Sequence, residues 1–365
     1  MIPYFCAIFG TLCYNLSMLD WFSGKVGYNG LDLKLNRLLE VTPDGEINWD
    51  FERPVSAKGS FESAIQIRRD FATEDMLTAS DKHNLLVNYV CLNLSGNPSK
   101  FLQGHNVFGP KVEALGPVLT ATVRGLPAEV RPSDADNPLP PALHRNRVDI
   151  TTSVHLGQHA HVHEWLKFVA KSSSSRHKGT SMLSGNTVYW GKQSSRWSMK
   201  AYCKFCELDA HPPADLKFKD QLKQYCEGHL RLELTLRTLE LQDRGTLDES
   251  LIWEYFKRIN IGEMEIDMEK IQNVKLSRSA KLTLNEWLAG KEVKYDLPKR
   301  TFYNHRKNIL EATGLDISLP VPSEKTLDKV KFDLDYLVAN EIKEIPATFQ
   351  GRLFKPDKSP VYAVH

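Results

Sequence analysis

A nucleophile, a cation and a carboxylate stand together in the run Tyr202-Cys203-Lys204-Phe205-Cys206-Glu207. A tyrosine hydroxyl, a lysine ammonium group and a glutamate carboxylate suit chemistry on a phosphodiester. The run closes a strand-like stretch over residues 197–205, and on an extended strand the spacing of two places Tyr202 and Lys204 on one face of a sheet. Tyrosine and lysine also fit ordinary strands, so a purely structural pair is the alternative.

Two other segments alternate polar and apolar residues, which predicts strands with one face in the core. In residues 231–237, leucines alternate with Arg231, Glu233, Thr235 and Arg237. Residues 147–151 repeat the pattern, with Arg147 and Asp149 on the polar face. Beside the Tyr202 strand, Asp149 and Glu233 would be candidate ligands of a hard divalent cation, Mg²⁺ or Mn²⁺, and the arginines could bind phosphate. A ladder of cross-strand salt bridges is the alternative.

A second group of potential metal ligands has zinc-like spacing. Cys203-x-x-Cys206 is followed by Cys226-x-x-His229, as in the paired ligands of a structural zinc site. A zinc knuckle needs a tight turn between its first two thiols. Here those thiols lie in a strand-like segment without glycine, where they would point to opposite faces. Small apolar side chains that fill the sheet are therefore the favoured interpretation, with zinc as the alternative.

Three histidines alternate with small apolar residues in His159-Ala160-His161-Val162-His163. A His-hydrophobe-His strand is the metal motif of many single-strand nicking enzymes. Residues 164–168 continue the run with a helical pattern, so the histidines are predicted in a polar loop and a first helical turn. The three histidines are therefore not the favoured metal ligands.

Composition bounds the class of protein. A chain of 365 residues, 41% of them hydrophobic, can bury a substantial core and is predicted to form a soluble protein of two domains. The formal net charge of +2 is too small to indicate a nucleic-acid binder, so attraction to DNA must come from local clusters. Six cysteines in this length lack the density of a secreted disulfide scaffold, which favours a reducing cytoplasm.

The apolar segment 2–16 has no basic start and is shorter than the roughly 20 residues that a spanning helix needs. It predicts neither a signal peptide nor a membrane anchor. Met18 begins a second plausible start, so residues 1–17 are expected to be a disordered extension.

Strand patterns dominate the chain from about residue 61 to residue 237. The predicted strands cover residues 63–68, 85–94, 118–123, 147–156, 187–191, 197–205 and 230–237. Residues 162–170 are predicted as a helix, 127–141 as a proline-rich loop and 171–179 as a polar basic loop. The pattern indicates an α+β fold with a mostly antiparallel central sheet, in a domain over residues 18–245.

Helical periodicity replaces the strands after residue 237, and residues 246–365 are predicted as a helical DNA-binding domain with a C-terminal tail. Capping-box pairs are Thr246 with Glu249 and Thr283 with Glu286. Pro298 suits the first position of a further helix. A helix-turn-helix with a DNA-binding second helix is favoured over a charged surface helix, since polar residues cluster toward the helix start. These residues are Lys299, Arg300, Asn304, Arg306 and Lys307.

Five segments in one order resemble the filamentous phage (inovirus) gene II/X replication initiators. They are residues 100–109 (KFLQGHNVFG), Arg147-x-Asp149, Ala201-Tyr202-x-Lys204-x-x-Glu207-Leu208, Arg231-x-Glu233 and Arg300-Thr301-Phe302-Tyr303-x-His305. Residues 187–207 also resemble the active-site region of Rep-trans rolling-circle initiators. The zinc-like cysteines are not part of this family pattern.

The resemblance implies a nicking-joining enzyme that cuts one strand of the double-stranded replicative form at the origin. A tyrosine at the position of Tyr202 attacks the scissile phosphate, keeps the 5′ phosphate as a tyrosyl ester and leaves a 3′ hydroxyl for a host polymerase. Lys204 is expected to stabilise the developing phenolate. Glu207 is expected to orient Lys204 or to act as a third metal ligand.

The metal ligands expected beside that nucleophile are Asp149, Glu233 and His105, holding Mg²⁺ or Mn²⁺. For His105 a buried structural role is the alternative. A second tyrosine, Tyr189, could supply the nucleophile for the cleavage that ends a replication round; packing beside Trp190 is its alternative role.

The implied partners are the phage origin DNA, the displaced single strand and the host helicase, polymerase and single-strand binding protein. The expected location is the host bacterial cytoplasm, without membrane association, and a dimer on DNA is one option. The alternative function is a non-catalytic origin-binding replication regulator that uses the helical C-terminal part. The two functions differ at Tyr202.

Overall fold

A nine-stranded sheet organises the larger part of the protein. The computed structural model describes residues 14–15, 18–28, 37–59, 61, 63–71, 90–133, 135, 143–175, 178–179, 181–183, 187–213, 216–261, 274–313, 315, 317–318, 333–351 and 353–354. The strands are β1 Tyr14–Asn15, β2 Met18–Val26, β3 Arg37–Val41, β4 Ile47–Glu52, β5 Val55–Lys58, β6 Ala64–Phe71, β7 Val90–Gly96, β8 Gly109–Pro110, β9 Leu143–His155, β10 Ser173–Ser175, β11 Lys178–Gly179, β12 Ser181–Leu183, β13 Thr187–Trp190, β14 Trp197–Cys203, β15 His229–Arg237 and β16 Ile259–Ile261. The α-helices are α1 Pro98–Gln103, α2 Leu115–Arg124, α3 His159–Ser172, α4 Lys204–Ala210, α5 Leu216–Tyr225, α6 Thr238–Arg244, α7 Leu251–Phe256, α8 Arg278–Leu288, α9 Val293–Asp296, α10 Lys299–Thr313, α11 Leu334–Ala339 and α12 Ala347–Gln350.

The large sheet has the strand order β12-β13-β14-β15-β9-β2-β7-β6-β5, and every neighbouring pair is antiparallel. The alternation expected for β15 is present, because Leu230, Leu232, Leu234 and Leu236 are fully buried in the main core. Trp165 of α3 and Val118 of α2 pack into the same core. The predicted α+β class with a mostly antiparallel sheet is confirmed.

The strand predicted over residues 118–123 is wrong, because this segment lies within helix α2. Its β-branched residues favour a strand by propensity. The apolar positions Leu115, Val118, Leu119 and Val123, however, repeat at three and four residues and bury one helix face. Packing of that face decides the structure over local preference.

The strand predicted over residues 197–205 ends two residues early. β14 stops at Cys203, and Lys204 is the first residue of α4. The hairpin turn predicted after β13 is present, with Gly191 at a φ of 66°. The polar loop predicted over residues 171–179 is partly wrong, since Ser173–Ser175 pairs with β16.

The main core continues past residue 245, where a domain boundary was expected. Leu251, Ile252, Tyr255 and Phe256 of α7 pack in it, as do Leu337 of α11 and Phe354. The helical segment that follows the sheet therefore begins as part of the larger unit. The division of the chain into residues 18–245 and 246–365 remains a prediction.

Helices α8, α9 and α10 surround a small core of their own. It contains Ala280, Leu284, Trp287, Val293, Phe302, Ile309, Leu315 and Ile317. The capping box predicted at Thr283 is wrong, since α8 starts at Arg278 and the Ser277 hydroxyl accepts the N-terminal hydrogen bond. Thr283 instead joins two helices, with its hydroxyl 2.9 Å from His305 Nδ1 on α10. The Thr246 capping box is also wrong, because Ser250 occupies the N-cap of α7.

Several predicted features fall outside the described residues. They are residues 1–13 and 16–17 of the N-terminal extension, residues 85–89 of a strand, and most of the loop after residue 133. Tyr14–Asn15 of that extension pairs with β8. In the part of the chain that the structure describes, no helix combines the length and apolar character needed to cross a membrane.

Candidate active site

A cleft of about 520 Å³ opens on the polar face of β14, β15, β9 and β2. Strand register builds it: Tyr202 pairs with Arg231, Lys200 with Glu233, and Thr235 with Asp149. It is lined by Asp20, Trp21, Asn97, Lys100, Asn106, Arg147, Asp149, Thr187, Tyr189, Lys200, Tyr202, Cys203, Cys206, Glu207, Ala210, His211 and Glu233. Tyr202, Asp149 and Glu233 therefore share one cleft, as strand alternation predicted.

Tyr202 lies in the wall of this cleft and is only 6% exposed. Burial, together with the nearby Glu233 carboxylate, raises its pKa well above the usual value of 10.0. The hydroxyl is therefore protonated at neutral pH. Lys200 Nζ lies 4.6 Å from the ring centroid of Tyr202, so a cation already faces this ring.

Lys204 does not share a strand face with Tyr202, which corrects the sequence-based expectation. Because α4 begins at Lys204, the strand alternation has ended, and its side chain is fully buried instead of lining the cleft. Lys204 Nζ donates to Glu207 Oε2 at 2.6 Å and to Asn106 Oδ1 at 2.9 Å. Burial lowers the pKa of Lys204, although Glu207 opposes that effect. Lys204 thus fastens α4 to the segment that contains Asn106.

Glu207 is the counter-ion of that buried lysine and also lines the cleft. Burial alone would raise its pKa, but Lys204 and Lys100 lower it to about 2. Lys100 Nζ lies 3.6 Å from Glu207 Oε1. Glu207 therefore stays ionised and forms an ion pair with Lys204.

Lys200 is the cleft cation that sequence reasoning missed. It lies two residues before Tyr202 on β14, so the same spacing rule applied toward the N-terminus would have found it. Its Nζ lies 2.6 Å from Glu233 Oε2. Burial works against its charge, yet the Glu233 carboxylate keeps the pKa of Lys200 above the usual value.

Three carboxylates gather in the cleft: Asp20, Asp149 and Glu233. Arg147 donates to both oxygens of Asp149, at 2.8 and 2.5 Å. Burial raises the pKa of Asp149 against the opposing effect of Arg147. Burial also raises the pKa of Glu233 to about 7, with contributions from Asp20 and Asp149. The carboxylates therefore repel one another despite their cationic neighbours.

Asp20 was not expected from the sequence. It lies in β2 at a register shift between Leu19 and Trp21, so simple alternation does not place it on the polar face. Its Oδ1 accepts hydrogen bonds from Asn97 Nδ2 at 2.9 Å and Asn106 Nδ2 at 2.8 Å. These two amides hold the carboxylate in the cleft.

His105 is not part of this carboxylate group, which corrects its assignment as a metal ligand. It is 3% exposed, does not line the cleft, and packs against Phe108 and Phe218 with ring centroids 5.9 and 5.3 Å apart. The aromatic contacts support the structural alternative. Asp20, and not His105, is the third potential metal ligand near Asp149 and Glu233.

Arg231 also differs from its expected role of binding DNA. It lies on the predicted strand face but is 1% exposed. Its guanidinium donates to the carbonyl oxygens of Asn106 at 2.6 Å and Val107 at 2.7 Å, and to Ser153 Oγ at 3.1 Å. Arg231 therefore fixes the 106–107 backbone beneath the cleft. Arg147, in contrast, lines the cleft, where it pairs with Asp149.

Tyr189 lines the cleft on β13, opposite Lys200 in register. Its neighbour Trp190 points the other way and is fully buried in the main core. Lys192 Nζ lies 5.0 Å from the Tyr189 ring centroid. Tyr189 is therefore placed on the side of Tyr202 and not in the core beside Trp190.

The donor set of the cleft fits a hard divalent cation. Asp20, Asp149 and Glu233 offer only oxygen atoms, which Mg²⁺ and Mn²⁺ prefer. Burial raises the pKa of Glu233, and the carboxylates of Asp20 and Asp149 add to that effect; a bound cation would relieve their mutual repulsion. We therefore assign these three residues as the candidate ligands.

The basic residues of α10 lie mostly on its outer side. Exposed positions are Lys299, Arg300, Asn304 and Lys307, whereas Arg306 is half-buried. Lys307 Nζ lies 3.9 Å from Glu311 Oε1 on the same helix. Phe302 and Ile309 face the small core. The helix thus presents the amphipathic arrangement that was expected.

Cys226 and His229 do not join Cys203 and Cys206 in a metal site, since neither belongs to a cluster of potential ligands among the described residues. Cys226 lies in a separate core with Val107 and Leu222. His229 packs its ring against His155 and Tyr225, at centroid distances of 5.4 and 4.8 Å. The zinc quartet suggested by spacing is therefore wrong.

The burial of His229 predicts a pH dependence of stability. Burial, with His155 and Arg231 nearby, lowers its pKa from 6.5 to about 3. The unfolded chain then binds a proton below pH 6.5 that the folded chain does not, so stability falls as pH falls through this range. Between about pH 6.5 and pH 5 we expect the unfolding free energy to drop by about 1.6 kcal/mol more in the wild type than in His229→Gln. Urea titrations at both pH values measure the unfolding free energies. An equal change with pH in the two proteins would contradict the prediction.

Known phage proteins are similar to this chain. Residues 18–262 match the family model that describes the N-terminal part of the phage replication-associated protein, the gene II product. The replication-associated protein of Enterobacteria phage I2-2 is 30% identical over 322 residues, which cover 83% of this chain and 89% of that protein. The protein of the same name from Salmonella phage IKe is 26% identical over 202 residues, which cover 54% of this chain and 47% of that protein.

Among solved structures, the rolling circle replication initiator protein from Geobacillus stearothermophilus is similar at a TM-score of 0.32 and 12% identity. The match covers 71% of this chain and 91% of that chain. The family resemblance inferred from motifs at residues 100–307 is confirmed, because the family model spans the sheet with its cleft and the I2-2 relative covers 83% of this chain. The chain belongs to the gene II replication-associated protein family of filamentous phages.

Proposed function

We propose that this protein initiates phage DNA replication by nicking the double-stranded replicative form at its origin and later rejoining the displaced strand. The observation that carries the proposal is the cleft in which Tyr202 lies beside Asp20, Asp149 and Glu233. A phenol nucleophile next to a carboxylate cluster suits transfer of a phosphoryl group. The family supports DNA replication as the process.

In the proposed reaction, Tyr202 Oη attacks the scissile phosphorus and the bond to the 3′ oxygen breaks. The phenol loses its proton as the new ester forms, and the leaving 3′ oxygen gains one. Lys200, above the Tyr202 ring, favours the negative charge that develops on the phenol oxygen. Rejoining is the reverse transfer to a 3′ hydroxyl, and it needs no ATP because the phosphotyrosyl ester conserves the bond energy.

Asp20, Asp149 and Glu233 would hold Mg²⁺ or Mn²⁺. When bound, this cation supplies positive charge to the non-bridging oxygens of the phosphate. Arg147 and Lys200 hold the carboxylates in place, at 2.8 Å from Asp149 and 2.6 Å from Glu233. Both cations also offset negative charge when DNA enters the cleft.

Lys204, Glu207 and Arg231 are assigned positioning roles. Lys204 and Arg231 both bind the segment at Asn106, through its side-chain oxygen and its carbonyl. Asn106 in turn donates to Asp20. A continuous hydrogen-bond chain therefore runs from α4 to a candidate metal ligand, and it fixes the carboxylate relative to Tyr202.

Tyr189 is proposed as the second nucleophile, because it faces the same cleft from the neighbouring strand. It would serve the cleavage that ends a replication round. The proposed partners are the origin duplex, the displaced single strand and the host helicase, polymerase and single-strand binding protein. The reaction is placed in the host cytoplasm, with a dimer on DNA as one assembly.

The exposed side of α10 is proposed to bind origin DNA. We expect Arg300→Ala to weaken origin binding about tenfold and to reduce the slope of log affinity against log salt by about 1, because one phosphate contact is lost. Fluorescence anisotropy over a salt series measures both values. Lys291→Ala is the matched control, since Lys291 is equally exposed on the same small unit but lies outside α10. Equal losses in the two variants would contradict a specific role of α10.

The central test is formation of a covalent adduct. Incubation with supercoiled DNA that carries the cognate origin and Mg²⁺ is expected to give open circles and a protein–DNA adduct that survives SDS. A non-catalytic regulator would bind the same DNA without either product. Binding without nicking in the presence of Mg²⁺ and Mn²⁺ would therefore overturn the proposed function.

A further inference from the structure

Four potential metal ligands outside the carboxylate group converge at one point. They are His159 and His163 of α3, Cys203 at the end of β14 and Cys206 in the first turn of α4, and their ligand atoms all lie within 4.8 Å of one another. His159 Nε2 lies 3.1 Å from Cys206 Sγ and 2.9 Å from His163 Nε2. Cys206 Sγ lies 3.4 Å from His163 Nε2.

Local structure explains this convergence. His159 and His163 are four residues apart on α3 and therefore share one helix face. Cys203 and Cys206 would diverge on a strand, but the chain changes from strand to helix between Cys203 and Lys204. That change of direction supplies the turn that a Cys-x-x-Cys pair needs to bind a metal.

We propose that His159, His163, Cys203 and Cys206 bind a structural Zn²⁺ ion. Two thiolates and two imidazoles are a ligand set of tetrahedral zinc sites. With bonds of about 2.3 Å to sulfur and 2.0 Å to nitrogen, ligand atoms around zinc lie about 3.3–3.8 Å apart. The distances of 2.9, 3.1 and 3.4 Å among His159, His163 and Cys206 differ from this by only a few tenths of an ångström. Cys203 Sγ completes a set whose ligand atoms all lie within 4.8 Å of one another, so a small inward shift would bring it to bonding distance.

The ligand chemistry separates this site from the carboxylates. Soft thiolates favour zinc over Mg²⁺, whereas Asp20, Asp149 and Glu233 offer only oxygen. Four protein ligands leave no open coordination position, which is the arrangement of structural rather than catalytic zinc. Phe205 packs against His159 at a centroid distance of 4.8 Å and shields one side of the cluster.

The position of the cluster gives zinc a defined role. Cys203 stands between Tyr202 and Lys204, and the ion would tie α3 to the junction of β14 and α4. This junction sets the place of Tyr202 in the cleft and the burial of Lys204 against Asn106. Zinc would therefore hold β14, which carries Tyr202, in a fixed position relative to α4, whether or not the protein nicks DNA.

The test is metal content of the full-length chain, purified without chelator and measured by elemental analysis. We expect about one zinc per chain, and Co²⁺ in its place should give the intense d–d bands of a tetrahedral site with a thiolate charge-transfer band. Cys206→Ser is expected to lose the charge-transfer intensity and to bind zinc at least about tenfold more weakly. A wild type without zinc, or with a Cys203–Cys206 disulfide, would overturn the proposal.

Matched variants keep the test informative if Cys206→Ser folds poorly. His163→Cys retains four ligands and is expected to keep zinc. The intensity of the Co²⁺ charge-transfer band should change, because a thiolate replaces an imidazole. Cys226→Ser removes the cysteine of the rejected quartet, and His161→Gln removes the histidine between the two ligands; both should keep full zinc content. Zinc lost from Cys226→Ser but retained by Cys206→Ser would contradict the assigned ligands. None of these readouts depends on nicking, so the site stands or falls separately from the proposed function.

Discussion

Tyr202→Phe is expected to abolish the covalent protein–DNA adduct and to lower nicking of supercoiled origin DNA at least about 10⁴-fold. The substitution removes only the attacking oxygen. The ring stays in its place beneath Lys200, 4.6 Å from the ammonium group, so folding and origin binding should be unchanged. The measurement is the rate of open-circle formation with Mg²⁺, together with the adduct that survives SDS.

Tyr189→Phe is the matched control for this result, because Tyr189 lines the same cleft from the neighbouring strand. We expect it to form the first adduct at the normal rate and to fail in the later cleavage that releases a circular strand. An adduct of normal yield in Tyr202→Phe would show that Tyr202 is not the nucleophile. An adduct found only when Tyr189 is present would assign the first cleavage to that residue instead.

Glu233→Gln has the second largest expected effect. Replacing one carboxylate of the cluster with an amide removes a charged oxygen ligand, and nicking is expected to fall about 10²- to 10³-fold at fixed Mg²⁺. The remaining activity should require a higher Mg²⁺ concentration for half-maximal rate. The measurement is the nicking rate over a Mg²⁺ series, with origin affinity determined in parallel.

Glu240→Gln provides the comparison, since Glu240 is also buried but pairs with Arg196 and Tyr255 away from the cleft. It should leave both the nicking rate and the Mg²⁺ requirement unchanged. If Glu233→Gln keeps the wild-type Mg²⁺ dependence, Glu233 does not hold the cation. A parallel loss of origin affinity would assign Glu233 to DNA binding.

The polar face of the sheet could be predicted because strand alternation is a local property. Residues 231–237 and 147–151 alternate with period two, and their pairing brought Asp149 and Glu233 beside Tyr202 as expected. The same rule failed at Lys204, since it assumes that the strand continues. The strand-to-helix change after Cys203 moves Lys204 into the interior and leaves Lys200 in the cleft.

Asp20 shows a second limit of local patterns. A register shift in β2 brings it toward Asp149, and two amides from Asn97 and Asn106 hold it there. These residues are far apart in the chain, so no spacing rule connects them. His105 and Arg231 were misjudged for the same reason, because residue type indicated ligands while burial gave them packing and backbone contacts.

By itself, the sequence determined the α+β class, the strands that carry Tyr202, Asp149 and Glu233, and the family, because periodicity and motif order are written along the chain. Only the tertiary structure decided which polar side chains meet. It replaced His105 with Asp20 and Lys204 with Lys200 in the cleft. It also joined Cys203 and Cys206 to His159 and His163, since contacts across distant segments depend on how helices pack on the sheet.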